Sequence, residues 1–156
     1  MNTMMQKTFS PWAAAAVLAL LLGGCASPSP TSNLASASAP DIRITLACTL
    51  PSNCVNSLDG GLAPLRFEGP PAQAIAALRA ALVDFPEASI VKADEVSMEV
   101  VFTTAVGFKD LVDFKIDAPA RRIDFRSRSS FGLYDFGKNR SRMAAFSARF
   151  EQAVKR

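Results

Sequence analysis

The chain has 156 residues, with 17 basic and 14 acidic side chains and no histidine, so its formal net charge is +3. This balance is too mild to favour a nucleic-acid-binding protein. The absence of histidine excludes a Ser-His-Asp triad, a Cys-His pair and a histidine-ligated metal, and we expect neither a metal nor another cofactor.

The first 24 residues are predicted to be a signal peptide. Lys7 precedes an unbroken apolar run, WAAAAVLALLL at residues 12–22. That run is too short to span a bilayer, which needs about 20 apolar residues, but it fits the hydrophobic core of a secretory signal. An exported protein is also a poor candidate for binding nucleic acid.

Leu22-Gly23-Gly24-Cys25 follows this run directly and resembles the bacterial lipobox. The resemblance implies cleavage before Cys25 and acylation of its sulfur and amino group, and several acyl chains together hold a protein stably on a membrane. Ala26, where inner-membrane lipoproteins tend to have aspartate, implies the periplasmic face of the outer membrane. The alternative is an ordinary signal peptide in which Cys25 is incidental.

Residues 25–40 are predicted to be the lipidated tether. The stretch ASPSPTSNLASASAP, at 26–40, has five serines, three prolines and no charge, so it cannot bury enough apolar surface to fold. As a coil it would span roughly 20 Å. Residues 41–156 remain, a common length for one domain.

Cys48 and Cys54 are predicted to form a disulfide, because two remaining thiols in an oxidising compartment usually pair. Pro51 and Asn53 between them favour a turn. The spacing matches neither a zinc knuckle nor a Cys-x-x-Cys redox motif.

The domain is predicted to run in the order strand, helix, four strands, helix. A strand is expected at 63–68, and a helix is expected to begin at Pro70 and Pro71 and to end before Pro86. From Ala88 the apolar period changes to two, with strands in 96–104, 112–117 and 122–129. A second helix follows, with Asn139 as its N-cap.

Apolar positions predict which faces are buried. The first helix has its stripe at Ile75, Leu78, Leu82 and Phe85, and the second has its stripe at Met143, Phe146, Phe150 and Val154. On the strands the apolar positions are Val96, Met98, Val100, Phe102, Val112, Phe114, Ile116, Ile123 and Phe125.

The last two strands allow a register to be predicted. If residues 118–121 form a four-residue hairpin loop, then Asp117 faces Arg122, Lys115 faces Asp124 and Asp113 faces Arg126. Every pair has opposite charges, which favours this register. The predicted fold is therefore α+β: a two-layer sandwich of a mostly antiparallel sheet of about five strands with two helices packed on one face.

Four motifs resemble a bacterial and plastid family known as domain of unknown function 1499 (DUF1499). They are NCVNS at 53–57, PLRFEG at 64–69, GFKDLVDF at 107–114 and RSRSSFGLYDFGKNRSR at 126–142. Ser130 departs from the family pattern, which commonly has arginine there. The resemblance implies a fold and no agreed activity.

The 126–142 segment is the candidate ligand site. One interpretation is structural, with Asp110 and Asp135 pairing Arg140 or Arg142, and Gly132, Gly137 and Asn139 shaping the turn. The other is an anion site, because arginines at a helix N-terminus are electrostatically disfavoured unless something compensates them. That hypothetical site comprises Arg126, Ser127, Arg128, Ser129, Asn139, Arg140 and Arg142.

Three functions follow from these alternatives. The first is a tethered, non-enzymatic binding module for an anionic lipid or glycan of the cell envelope. The second is a scaffold whose charged strand face docks an envelope protein. The third is a hydrolase, which would require Ser127 or Ser129 beside Asp110 or Asp135 in a deep pocket.

Overall fold

The computed structural model describes residues 46–59 and 61–155. The predicted signal peptide, the lipidation site at Cys25 and the predicted tether all lie outside these residues. Among the residues described, no helix has the length and apolar character needed to cross a membrane.

The described chain forms six strands and two α-helices. A single 3-10 turn, Pro51–Asn53, precedes them. The strands are β1 (Cys54–Asn56), β2 (Leu65–Arg66), β3 (Ala88–Ala93), β4 (Ser97–Thr103), β5 (Lys109–Asp117) and β6 (Arg122–Ser129), and the helices are α1 (Pro71–Leu82) and α2 (Lys138–Val154).

The strands make one antiparallel sheet in the order β1-β6-β5-β4-β3, with β2 also pairing to β6. The β5–β6 register is the predicted one: Asp117 pairs with Arg122, Lys115 with Asp124 and Asp113 with Arg126. The α+β class and the antiparallel sheet are therefore confirmed, with six strands instead of about five.

The sheet buries one face against the helices. The buried strand residues alternate, as a pleated sheet requires, and three phenylalanines, Phe102, Phe114 and Phe125, lie at the centre of this face. From α2, Met143, Phe146 and Phe150 are fully buried against them, as predicted, whereas Val154, the last residue of the predicted stripe, is 40% exposed. The ring of Phe146 lies 5.1 Å from that of Phe114.

Helix α1 buries Leu78 and Leu82 as predicted, but the rest of its buried stripe differs from the prediction. Pro71 occupies its first turn, where the missing N–H removes no intrahelical bond. Ala74, Ala77 and Ala81 face the core beside Leu78 and Leu82, whereas Ile75 and Phe85 are only partly buried. Small side chains bring α1 close to its neighbours, so the alanines take the inner positions.

Three features of the strands differ from prediction. β1 was not predicted, and β2 has two residues where six were expected. Val96 lies in the turn before β4 and is 55% exposed, not in line with the buried Met98. β3 forms an edge of the sheet and contains an irregularity between Ile90 and Lys92.

The predicted disulfide joins Cys48 to Cys54, with Cα atoms 5.7 Å apart. It fastens the segment before the 3-10 turn to the first residue of β1. The carbonyl of Leu46 accepts a hydrogen bond from the side chain of Asn56, at 3.0 Å. The described chain thus enters the domain along β1.

Candidate functional site

The 126–142 segment comprises the end of β6, a loop and the first turns of α2. Because successive strand residues point to opposite faces, Ser127 and Ser129 face the helices, whereas Arg126 and Arg128 lie on the open face of the sheet. The predicted site is therefore divided between the two faces of β6.

Asn139 is the centre of a buried polar network on the helix side. Its side-chain oxygen accepts hydrogen bonds from Ser127 Oγ at 2.6 Å and from Arg142 Nη1 at 3.1 Å. Its amide nitrogen lies 3.1 Å from the Asn53 carbonyl and 3.0 Å from Ser129 Oγ. Asn139 and Ser127 are fully buried, so these bonds replace the water contacts that both side chains give up on folding.

Asp110 and Arg142 form a buried ion pair beside this network. Arg142 Nη2 lies 2.6 Å from Asp110 Oδ2, and the two side chains are 9% and 4% exposed. The Arg142 guanidinium also lies 4.7 Å above the Phe102 ring, in cation–π geometry. The positive charge of Arg142 is thus neutralised inside the protein, as the structural interpretation predicted.

The N-terminus of α2 differs from prediction. Gly137, with φ of 74°, is the N-cap, and Asn139 lies within the first turn. The Asp135 carboxylate takes the capping role, because it accepts hydrogen bonds from the backbone N–H groups of Gly137 and Asn139, both at 2.9 Å. Asparagine is a common capping residue, but the side chain of Asn139 forms hydrogen bonds with Asn53, Ser127 and Ser129 and does not cap the helix.

The environment of Asp135 favours its charged form. Partial burial alone would raise the pKa of this carboxyl. The hydrogen bonds from the Asn139 and Gly137 backbone and from the Asn139 side chain outweigh that effect, so the pKa lies below its ordinary value. The charge also complements the positive end of the helix dipole.

On the open face of the sheet, the arginines pair with carboxylates of the same face. Arg126 Nη2 lies 2.6 Å from Asp113 Oδ2, and Arg126 Nη1 donates to the Ala47 carbonyl at 3.1 Å. Arg122 lies 3.0 Å from Asp124 and 3.5 Å from Asp117. Two of the predicted cross-strand pairs, Asp113 with Arg126 and Asp117 with Arg122, are therefore ion pairs, whereas Asp124 pairs with Arg122 of its own strand.

The four arginines of the predicted anion site do not converge. Arg126 and Arg128 lie on one face of the sheet, and Arg142 is buried on the other with Asp110. The guanidinium of Arg140 lies near Gly61, where an added Cβ would meet its Nη1 at 3.6 Å. The helical N–H groups of Gly137 and Asn139, available in the original hypothesis, are occupied by Asp135.

The most exposed apolar surface of the described chain was not predicted. In the loop between β6 and α2, Phe131, Leu133, Tyr134 and Phe136 are 75%, 78%, 62% and 89% exposed. The adjacent β4–β5 turn adds Val106 and Phe108, at 76% and 53%. We call these six residues the aromatic end. The run FGLYDF signalled it, because four large apolar residues are unusual in a turn-rich segment.

The two loops of the aromatic end are joined to each other. The Phe108 and Phe131 rings stack with centroids 5.7 Å apart and planes 10° apart. The backbone N–H of Ser130 donates to the Lys109 carbonyl at 2.9 Å. A second pair of exposed rings, Tyr134 and Phe136, has its centroids 5.0 Å apart in the same loop.

The loop between β6 and α2 is also hydrogen-bonded to the 3-10 turn that precedes β1. The Asn53 side chain donates to the Gly132 carbonyl at 2.6 Å, and the Ser52 hydroxyl donates to the Leu133 carbonyl at 2.5 Å. Phe136 has φ of 56°, a conformation rarely adopted by bulky side chains. The fold thus holds this loop in place while its aromatic side chains face solvent.

A cleft lies at the other end of the domain. It has a volume of about 1140 Å³ and is lined by alanines of α1, the end of α2 and the β5–β6 hairpin loop. Ser127 and Ser129 are not among its lining residues. In the part of the chain described, no cluster of three or more Cys, Asp or Glu side chains is arranged to hold a metal.

A protein-family model described as "Protein of unknown function (DUF1499)" matches residues 43–150. The chain belongs to this family. The DUF1499 match includes the Asn139 network and both loops of the aromatic end, so these features lie within the family domain. Comparison with curated proteins finds no match.

Proposed function

We propose that this protein is a non-enzymatic binding module, tethered by lipid on Cys25 at the periplasmic face of the bacterial outer membrane, which contacts an anionic envelope component through its aromatic end. One observation carries the proposal: the 126–142 segment turns Ser127, Asn139 and Arg142 inward, whereas its four large apolar side chains between β6 and α2 face solvent. Contiguous exposed apolar surface of this kind is typical of contact sites.

The charge around the aromatic end favours an anionic ligand. Lys109 and Lys138 flank the exposed rings, and neither forms a salt bridge among the described residues. Residues 104–109 and 130–138 contain one acid, Asp135, whose carboxylate is engaged by the α2 N-terminus. Arg126 and Arg142 already neutralise aspartates, so the two lysines replace them in the proposed site.

The two alternatives receive less support. A hydrolase using Ser127 would need a base to accept its proton, but Ser127 is fully buried and its hydroxyl donates to the Asn139 amide oxygen. A scaffold using the charged sheet face would need carboxylates that are free to pair with a partner. Three carboxylates of that face are already paired within the domain: Asp113 with Arg126, and Asp117 and Asp124 with Arg122.

Charge reversal tests the ligand class. We expect the full chain to cosediment with purified lipopolysaccharide or with peptidoglycan sacculi, and added salt to weaken the association. Lys109→Glu combined with Lys138→Glu should abolish it. Lys92→Glu combined with Lys155→Glu, exposed changes of the same total charge outside the aromatic end, is the matched control and should bind normally. Equal binding by all these proteins would refute an anionic ligand at the aromatic end.

The anchor is tested separately. Cells expressing the full chain should incorporate labelled palmitate into it, and Cys25→Ser should prevent both this labelling and cleavage of the signal peptide. Labelling that persists in Cys25→Ser would refute the predicted lipidation site.

A further inference from the structure

We infer that the aromatic end inserts its rings into the headgroup region of an anionic phospholipid bilayer, which gives the domain a second membrane contact beside its lipid anchor. This inference rests on the proposed function and names the ligand as the membrane surface itself. The observation behind it is the combination of protruding aromatic rings, flanking lysines and the position at which the chain enters the domain.

The shape and chemistry of the aromatic end fit a bilayer interface. Its rings belong to two loops that protrude from one end of a sheet, so they form a tip. Phe131 and Phe136 present apolar area, while Tyr134 combines an apolar ring with a hydroxyl, the type of side chain enriched at membrane–water interfaces. A loop tip inserts into lipid without having to match the contours of a rigid partner.

Charge favours anionic lipid over neutral lipid. Two exposed lysines are next to the rings in sequence, Lys109 directly after Phe108 and Lys138 two residues after Phe136. Basic side chains beside inserted apolar groups are attracted by the negative surface potential of anionic lipids. Two of the nearby acids are already engaged, Asp135 by the backbone N–H groups of Gly137 and Asn139 and Asp110 by Arg142. The third, Glu87, lines a shallow depression together with Lys138.

The first part of the described chain is bonded to β6 and to the aromatic end. Ala47 accepts a hydrogen bond from Arg126, Cys48 is bonded to Cys54, and Ser52 bonds to Leu133 in the aromatic loop. Twenty residues, 26–45, separate Cys25 from Leu46, and a coil of that length has an end-to-end distance of roughly 25 Å.

A short tether raises the effective concentration of a second contact. Once Cys25 is anchored, insertion of the aromatic end becomes an intramolecular step, with effective concentrations in about the millimolar range for short flexible linkers. A weak affinity of the loop for lipid is then sufficient. The backbone φ of Phe136 is 56°, which is unfavourable for a bulky residue. Such backbone strain is concentrated at binding and catalytic sites, which supports a role of this loop in binding.

Depth-dependent fluorescence tests the inference. Trp12 is the only tryptophan, so a Trp12→Phe background allows one reporter at a time. The full chain with Phe136→Trp is reconstituted into phosphatidylcholine vesicles with or without phosphatidylglycerol, using lipids brominated on their acyl chains. Val96→Trp, in the turn at the opposite end of the sheet, is the matched control.

Insertion predicts several-fold stronger bromolipid quenching and a larger blue shift for Phe136→Trp than for Val96→Trp. Phosphatidylglycerol should increase the quenching, Lys109→Glu with Lys138→Glu should remove that increase, and Ser130→Arg, at an exposed position of the same tip, should enhance it. Each of these responses requires lipid contact by the tip.

Two results would overturn the inference. Equal quenching at both positions would show that the tip stays in water. Shielding of the Phe136→Trp reporter from acrylamide without bromolipid quenching, increasing with protein concentration, would identify a second protein copy as the partner. Because reconstitution holds the chain on the vesicle in either case, these results would leave the lipid on Cys25 and the binding of lipopolysaccharide or sacculi unaffected.

Discussion

Asn139→Asp tests the buried network with the smallest change of shape. The substitution keeps the oxygen that accepts from Ser127 and Arg142 but replaces the amide nitrogen by a second oxygen. In the native protein that nitrogen lies 3.1 Å from the Asn53 carbonyl and 2.8 Å from Asp135 Oδ2. The variant therefore removes two donated hydrogen bonds and brings two carboxylates into contact.

The expected loss follows from the burial of the partners. Each buried acceptor left without its donor costs about 1–3 kcal/mol, and repulsion between the new carboxylate and Asp135 adds to that cost. We expect Asn139→Asp to lower the free energy of unfolding by about 2–5 kcal/mol near neutral pH. That is a large share of the about 5–15 kcal/mol typical of a native protein.

Urea denaturation of the full chain at two pH values measures this loss. The carboxyl introduced at 139 is destabilised as an anion beside Asp135, so its pKa in the folded state is raised. A raised acid pKa means that the deficit is smallest below the unfolded value of about 3.9 and grows as the pH rises through the folded value. The deficit should therefore shrink on acidification.

Gln152→Glu is the matched control, because it adds the same charge at an exposed position of the same helix. Its effect should stay within about 0.5 kcal/mol. Native stability of Asn139→Asp at neutral pH would refute the network, and a deficit that does not shrink in acid would refute the role given to Asp135.

Three further predictions concern neighbouring residues. Since the pKa of Asp135 is lowered, its contribution to stability is present above the unfolded pKa and is lost as the pH falls through the folded one; the difference in melting temperature between the native chain and Asp135→Asn should therefore be full at about pH 6 and shrink only as the pH falls below the unfolded value of about 3.9. Phe136→Asn relieves a backbone conformation that costs about 1–3 kcal/mol in a bulky residue, offset by loss of the edge contact with Tyr134 at 5.0 Å; urea denaturation should show stability equal to the native value or up to about 1 kcal/mol above it, and a fall of more than about 1 kcal/mol would show that the ring packs. Asp110→Asn should cost about 3–5 kcal/mol because it leaves Arg142 buried and unpaired, and adding Arg142→Met should recover part of that loss; strictly additive losses in a double-mutant cycle would contradict the ion pair.

The alternation of charged and apolar residues in two consecutive strands was sufficient to predict the β5–β6 hairpin. Alternating charges at Asp113, Lys115 and Asp117 permit one register against β6 that pairs opposite charges and buries the apolar residues, and the structure has that register. The stripe at Met143, Phe146 and Phe150 was equally readable, because one helix face carries all three. Each of these predictions used residues of one helix or of two strands that follow each other in the sequence.

The features that the sequence did not predict depend on contacts between residues far apart in the chain. β1 has three residues, Cys54–Asn56, too few to show a period, and it is a strand because it pairs with β6. Asn139 looked like a cap from its neighbours alone, whereas its amide partner Asn53 is 86 residues away. The pairing of Arg142 with Asp110 is likewise a consequence of where α2 packs.

The connectivity of the sheet indicates which strand pairs form early and which form late during folding. β3, β4, β5 and β6 are joined as successive antiparallel neighbours, so their pairing requires only short loop closures. The pairing of Val55 with Ser127 joins residues 72 positions apart, and contacts of long sequence separation form slowly. The amide protons of β1 and of the first turn of α2 should therefore exchange with solvent sooner than those of β5. The tip that faces outward is supported by the last part of the domain to assemble and the first to open.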